Sequence, residues 1–207
     1  QEDFPQNGSL YNDEMTPARL AQILYARNIR GILMPPGPLP EKLLHEFPWS
    51  QFSVVAVSRP FDSFPVHAVT SDQTSNAILA IRKMQEHGYK RIGYFGEGWI
   101  GRGFCPGFLW LQRLEIPEEL QVPPFLYKKE DHDSLQPALN RWLREHKPDA
   151  ILTDDPSLPS LIAKAGLRVP ADIALAAVTV LDCPIDARIY QNPEEIGRVA
   201  VLMLQSL

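Results

Sequence analysis

Cysteine is scarce in this sequence. There are two, Cys105 and Cys183, in 207 residues. They form no CxxC pair, so neither a zinc site nor a thioredoxin-type motif has support. Two buried free thiols in a reducing cytosol are the plain reading. Long apolar runs are also missing, since no stretch approaches the ~20 residues that span a bilayer. No charged, apolar, small-residue leader precedes the first element. The chain begins with Gln1 rather than Met and reads as a fragment. Positive charge is in deficit, with 20 Lys and Arg against 25 Asp and Glu, a net charge of −5. Such an acidic chain is poorly suited to gripping a nucleic-acid backbone by itself. Proline, by contrast, is plentiful at 20 residues, about double ordinary usage. With 44% hydrophobic and 22% charged residues, the composition suits one large domain or two small lobes, not a disordered chain.

Short apolar runs alternate with amphipathic segments. Thr16-Pro17 is a cap followed by proline at the first helical position, and the helix carrying Leu20, Ile23 and Leu24 is expected to close at Asn28 and Gly31. Gly31 to Pro35 reads as a short apolar strand stopped by Pro-Pro-Gly-Pro, and Ser53 to Val57 as a β-branched, continuous strand, as one covered on both faces should be. A longer helix spans about Gln73 to His87, with Gly88 as its C-terminal stop. Arg91 to Gly96 is the next strand, and a Gly-rich loop runs from Gly96 to Gly107. Further on, Asp133 with Gln136 reads as a capping box for the helix of Leu139, Trp142 and Leu143. Asp149 to Thr153 and Ile173 to Thr179 are strands, Leu158 to Ala165 a short helix, and Asn192-Pro193 caps a final helix. This regular alternation means an α/β fold with parallel sheets.

Motifs for catalysis are weak. Gly96, Gly98 and Gly101 meet the bare G-x-G-x-x-G spacing, but Trp99 and Ile100 are bulky where a pyrophosphate would approach. No acidic ribose partner follows, so a loop that shapes some other pocket is the better reading. Glu130-Asp131-His132-Asp133 has ligand-type side chains, yet consecutive residues rarely converge on one ion, and a solvated loop is expected. No G-x-S-x-G elbow and no nucleophile–base pair is found. The chain therefore reads as a non-enzyme, with no cofactor and no metal. Asp154-Asp155 follows an apolar strand directly. Those carboxylates either face the crevice at the carboxyl ends of a parallel sheet or cap the next helix through Asp155-Pro156. The two readings are compatible.

Four segments together resemble the effector domain of LacI/GalR-family transcriptional regulators. They are Val69-Thr70-Ser71-Asp72 with His87-Gly88-Tyr89-Lys90-Arg91-Ile92-Gly93; Pro148-Asp149-Ala150-Ile151 with the acidic pair; Ala165-Gly166-Leu167-Arg168-Val169-Pro170-Ala171-Asp172-Ile173; and Gln191 followed by Ile196-Gly197 and Ala200. They occur in family order, at nearly family spacing, over most of the chain from about Gln22.

The resemblance implies a two-lobed, periplasmic-binding-protein-like type I fold. One lobe would hold residues 1–70 plus 191–207, incomplete at its N-terminus, and the other residues 71–190. It implies a small-molecule effector, a carbohydrate or a related compound, held between the lobes. It also implies a cytoplasmic homodimer that meets DNA only through a helix-turn-helix domain absent from this chain, and no membrane. The implied ligand-binding positions are Asp72, Asp154 with Asp155 beside it, and Gln191. Two positions depart from the family pattern: its effector-contacting arginine falls on Phe104, with Arg102 close by, and an aspartate falls on Thr179, with Asp182 a little later. Losing a fork donor and a charged acceptor points either to an effector less polar than a typical sugar or to a site that has drifted. The alternative function is an exported sugar-binding protein of an ABC transporter, and the Gly166-Leu167-Arg168-Val169-Pro170 segment favours the regulator.

Overall fold

The computed structural model describes residues 15–36, 39–58, 66–98, 103–128, 132–179 and 184–207. The chain divides into two compact units, Gln1–Thr70 with Glu194–Leu207, and Ser71–Pro193.

In the first unit, α1 (Pro17–Ala26) starts at Thr16, whose hydroxyl accepts from the Arg19 N–H at 3.2 Å. Asn28 at φ 56° turns the chain out of it. Gly31 has no part in that turn; it opens β1 (Gly31–Met34). After α2 (Glu41–Glu46), β2 (Ser53–Val57) and β3 (His67–Val69) complete a parallel sheet of order β1-β2-β3, with Gly31 opposite Ser53. Its core is Ala21, Met34, Leu43, Phe47, Phe52, Val54 and Ala56.

The second unit begins with α3 (Gln73–Glu86), which ends where Gly88 takes φ 93°, a conformation that costs glycine little. Then come β4 (Ile92–Glu97), α4 (Cys105–Glu115), β5 (Phe125–Tyr127), α5 (His132–His146), β6 (Ala150–Thr153), α6 (Leu158–Lys164) and β7 (Ala174–Ala177). The sheet is parallel throughout, in the order β5-β4-β6-β7. Every residue of β6 and β7 is buried, which is why those strands read as unbroken apolar runs. Period-two alternation divides the core. Ile92, Tyr94, Ala150, Leu152, Ala174 and Ala176 pack with Ala77, Ile81, Phe108 and Leu111 of α3 and α4. Phe95, Ile151, Leu175 and Ala177 pack with Leu139, Trp142, Leu158 and Ile162 of α5 and α6. The last helix, α7 (Pro193–Ser206), brings Leu204 against Gly31 of the first unit, where an added Cβ would lie 3.0 Å from it.

Two local expectations are corrected. Gly107 is not in a loop but inside α4, where a Cβ would lie 2.3 Å from the Thr74 carbonyl oxygen. It is there because α3 and α4 cross with their backbones close. The helix expected to be capped at Asp133 starts earlier. α5 already includes His132, and the Gln136 amide donates to Asn140 Oδ1 at 2.9 Å and to the Leu161 carbonyl at 3.1 Å.

Candidate functional site

The carboxyl ends of β4, β5 and β6 bring together Tyr94, Glu97, Tyr127, Asp154 and Asp155. β6 ends at Thr153, and Asp154 and Asp155 follow it. Adjacent residues on an extended chain point to opposite faces, and these two carboxylates do so. Asp154 accepts from the Tyr94 hydroxyl at 2.8 Å, and Tyr94 lies on the α3–α4 face. Asp155 accepts from the Tyr127 hydroxyl, and Tyr127 packs against the α5–α6 face. Each aspartate thus has its own tyrosine, one from β4 and one from β5.

Their remaining valences differ. Asp155 Oδ1 accepts from the Ser157 N–H at 2.7 Å, and its own N–H donates to Thr153 Oγ1 at 3.0 Å. Both of its oxygens are used, in a turn that leads into α6. Asp154 Oδ1 is buried and has no hydrogen-bond partner among the described residues. It lies across β4 at Gly96, where any Cβ would be 2.2 Å away. Gly96 is therefore what lets the carboxyl take this position. Asp154 as a whole is 6% exposed. Burial weakens it as an acid and pushes its pKa up to about 7; the Tyr94 hydrogen bond and its own backbone N–H oppose this, and the negative charges of Asp155 and Glu97 reinforce it. Burial, reinforced by Asp154, also holds the Tyr94 proton far more firmly than in water. The Cys105 thiol at the start of α4 is pushed up to about 11, by burial first and by Asp154 second. A buried thiol of this kind is a poor nucleophile.

The other expected positions have these places. Asp72 is the N-cap of α3; its Oδ1 accepts from the Ser75 N–H at 2.9 Å and its Oδ2 from the Ser75 hydroxyl at 2.7 Å. Those bonds hold its pKa below the usual carboxylate value. Gln191 accepts from the Ser71 hydroxyl and donates from Nε2 to the Val178 carbonyl at 3.0 Å. It thereby ties the residue where the chain enters the second unit to the end of β7. Thr179 follows Val178 and is half-buried. Phe104 precedes α4, is 4% exposed, and packs in the cluster of Tyr94 and Phe108. Arg102, Asp182 and Cys183 lie outside the described residues, as do Trp99 to Gly101 and Glu130-Asp131. The structure thus joins Asp154 to Tyr94 and Gly96, Asp155 to Tyr127, and Gln191 to Ser71 and Val178. The Asp72 carboxylate is engaged with its own helix.

Tyr94, Gly96, Tyr127 and Ser71 were not expected from sequence. The signal for the first two is their spacing. A tyrosine two residues before a glycine near a strand's end puts a hydroxyl and a gap on one face. Among the described residues no three His, Cys, Asp or Glu side chains are arranged to hold a metal ion, and no helix is long and apolar enough to cross a membrane.

No protein-family model and no curated protein matches the sequence. Solved structures do match. The transcription regulator CcpA of Lactococcus lactis is 20% identical, with a TM-score of 0.67 over 94% of this chain and 76% of that one. A LacI transcriptional regulator from Lactobacillus brevis is 19% identical, with a TM-score of 0.67 over 98% of this chain and 80% of that one. A LacI-family regulatory protein from Chloroflexus aggregans is 17% identical, with a TM-score of 0.68 over 95% and 75%. The fold is therefore the periplasmic-binding-protein-like α/β fold of LacI-family transcription regulators, with parallel sheets flanked by helices.

Proposed function

We propose that this chain is the small-molecule effector-binding part of a LacI-type transcriptional regulator, and that it binds rather than transforms its ligand. The likeness to solved regulators, which extends over nearly the whole chain, supports the regulator class. The observation that carries the binding role is Asp154, a buried carboxyl at the carboxyl end of a parallel sheet with one oxygen unpaired. Open α/β sheets take ligands at that end. An unpaired buried acceptor costs roughly 1–3 kcal/mol, which a ligand donor recovers. Asp72, Thr179 and Gln191 are the further polar positions assigned to the effector, with Phe104 and Arg102 beside them and Asp155 fixing the loop.

The effector is a carbohydrate or a related polar metabolite. The protein acts in the cytoplasm as a symmetric homodimer and reaches DNA through a separate helix-turn-helix domain, whose presentation the effector alters by shifting populations. A thermal-shift screen against a broad metabolite panel tests this reading. At least one compound should raise the unfolding temperature saturably, and Asp154→Ala should weaken its binding ten- to a hundredfold, because a charge-assisted hydrogen bond is worth roughly 1.5–3 kcal/mol. A panel with no stabilising compound would remove the sensor assignment.

A further inference from the structure

We propose that the effector group read by Asp154 is a protonated amine; this rests on the sensor reading above and names its ligand class. Three carboxylates, Glu97, Asp154 and Asp155, stand at the ends of β4 and β6, and the charges acting on Asp154 are those of Asp155 and Glu97. Among the described residues, the titratable groups facing it are Tyr94 and Glu97 from β4, Tyr127 from β5, Asp155 from its own loop and Cys105 from the start of α4. None of these is a cation. An acidic cluster by itself is an ordinary solvated feature. Here one member is set apart from its neighbours. Asp155 fills both oxygens from within the chain, through Tyr127 and the Ser157 N–H. Asp154, which is 6% exposed, fills only Oδ2. Buried polar atoms are nearly always paired, so a buried carboxylate oxygen without a donor marks where an outside donor belongs.

Charge decides which donor. A phosphate or carboxylate ligand would bring no donor and a further negative charge. A neutral hydroxyl would fill the valence but leave the carboxylates uncompensated. An ammonium brings three donors and one compensating charge, and its hydrogen bond to a carboxylate is roughly twice as strong as a neutral one. Gly96 keeps the carboxyl in place for this contact, since a side chain there would displace Oδ1.

The contact has a proton signature. Burial holds Asp154 at about 7, so near neutrality part of the population carries a proton. An ammonium favours the ionised form and draws the pKa back down, and the displaced proton goes to solvent. Amine affinity therefore rises with pH up to about 7 and levels off above it, until the amine itself loses its proton. A hydroxyl, which also donates to the ionised form but brings no charge, shows a smaller rise, and a carboxylate ligand, repelled by that form, shows a fall.

Calorimetric titration of the chain with two matched sets tests the proposal. Glucamine, sorbitol and gluconate share a six-carbon polyol frame, and putrescine, butanediol and succinate a four-carbon one. The amine of at least one set should bind at least tenfold more tightly than its hydroxyl and carboxylate counterparts. Its affinity should climb from acid to neutral pH, and Asp154→Asn should abolish both the preference and the climb. The pH dependence is read on the unmodified chain, so it stands even if the variant folds poorly. Equal or tighter binding by a hydroxyl or carboxylate member overturns the proposal, as does pH-independent amine binding or a preference that survives Asp154→Asn. No binding in either set overturns the amine assignment too. The sensor reading is judged separately by the metabolite screen, which presupposes no amine.

Discussion

At the scale of single residues, the acidic pair shows how one strand end can do two jobs. Asp155 is structural, because its oxygens fix the turn into α6 and hold Tyr127. Asp154 is buried at a cost, and pH reveals that cost. Its acidity lies at about 7 against 3.8 for the ordinary group. Between those values the folded state holds a proton that the unfolded chain releases, so stability falls as pH rises from about 4 to about 7 and is flat above. At about 1.4 kcal/mol per unit the loss is several kcal/mol. Denaturant unfolding across that range should show this slope, and Asp154→Asn should flatten it; a slope unchanged in the variant would assign the effect elsewhere. Asp72 poses a different question, because a cap and a ligand contact need the same oxygens. Asp72→Ser keeps a capping hydroxyl and removes the charge, whereas Asp72→Ala removes both. Thermal unfolding should be near normal in the serine variant and lowered in the alanine variant. Effector affinity should fall in both, and full affinity in the serine variant would leave Asp72 as a cap alone.

At the scale of elements, the α3–α4 pair carries the face on which Asp154 sits. Gly107 allows these helices to meet, with the Thr74 carbonyl 2.3 Å from where a Cβ would stand. Alanine elsewhere in a helix gains about 1 kcal/mol over glycine. Here the obstacle is backbone, which moves only with its helix, and such overpacking costs roughly 1–3 kcal/mol. Gly107→Ala should therefore lower unfolding stability in spite of its better helix propensity. A stabilised variant would show that the helices separate easily. The strands and helices themselves were legible in sequence. Gly88 and the Thr16-Pro17 start stand where capping chemistry puts them, and the apolar runs of β6 and β7 are strands buried on both faces. The helix start expected at Asp133 misled because Asp and Gln at that spacing satisfy a local pattern, while α5 already includes His132 and Gln136 finds partners on α5 and in α6, at Asn140 and Leu161.

At the scale of the whole molecule, assembly is the open test. A symmetric homodimer should appear in sedimentation velocity of the intact regulator at micromolar concentration, and a monomer there would count against the proposed pairing. Much of the architecture follows from the sequence alone. Alternating apolar runs and amphipathic segments, closed by glycine and proline, determine an α/β chain with parallel sheets, because hydrophobic period and turn chemistry are local properties. Asp154 as a candidate was also legible, since a carboxylate directly after an apolar strand must lie at the sheet's carboxyl end. What it does there was not. That Tyr94 takes one of its oxygens, that Gly96 makes room for the other, and that Asp155 one residue later is saturated all depend on β5, β4 and β6 lying side by side. Pairing 60 residues apart leaves no local trace. Only tertiary structure decides which of two adjacent carboxylates is left with an unpaired oxygen, because burial and partner geometry are properties of the packed sheet and not of the residues that compose it.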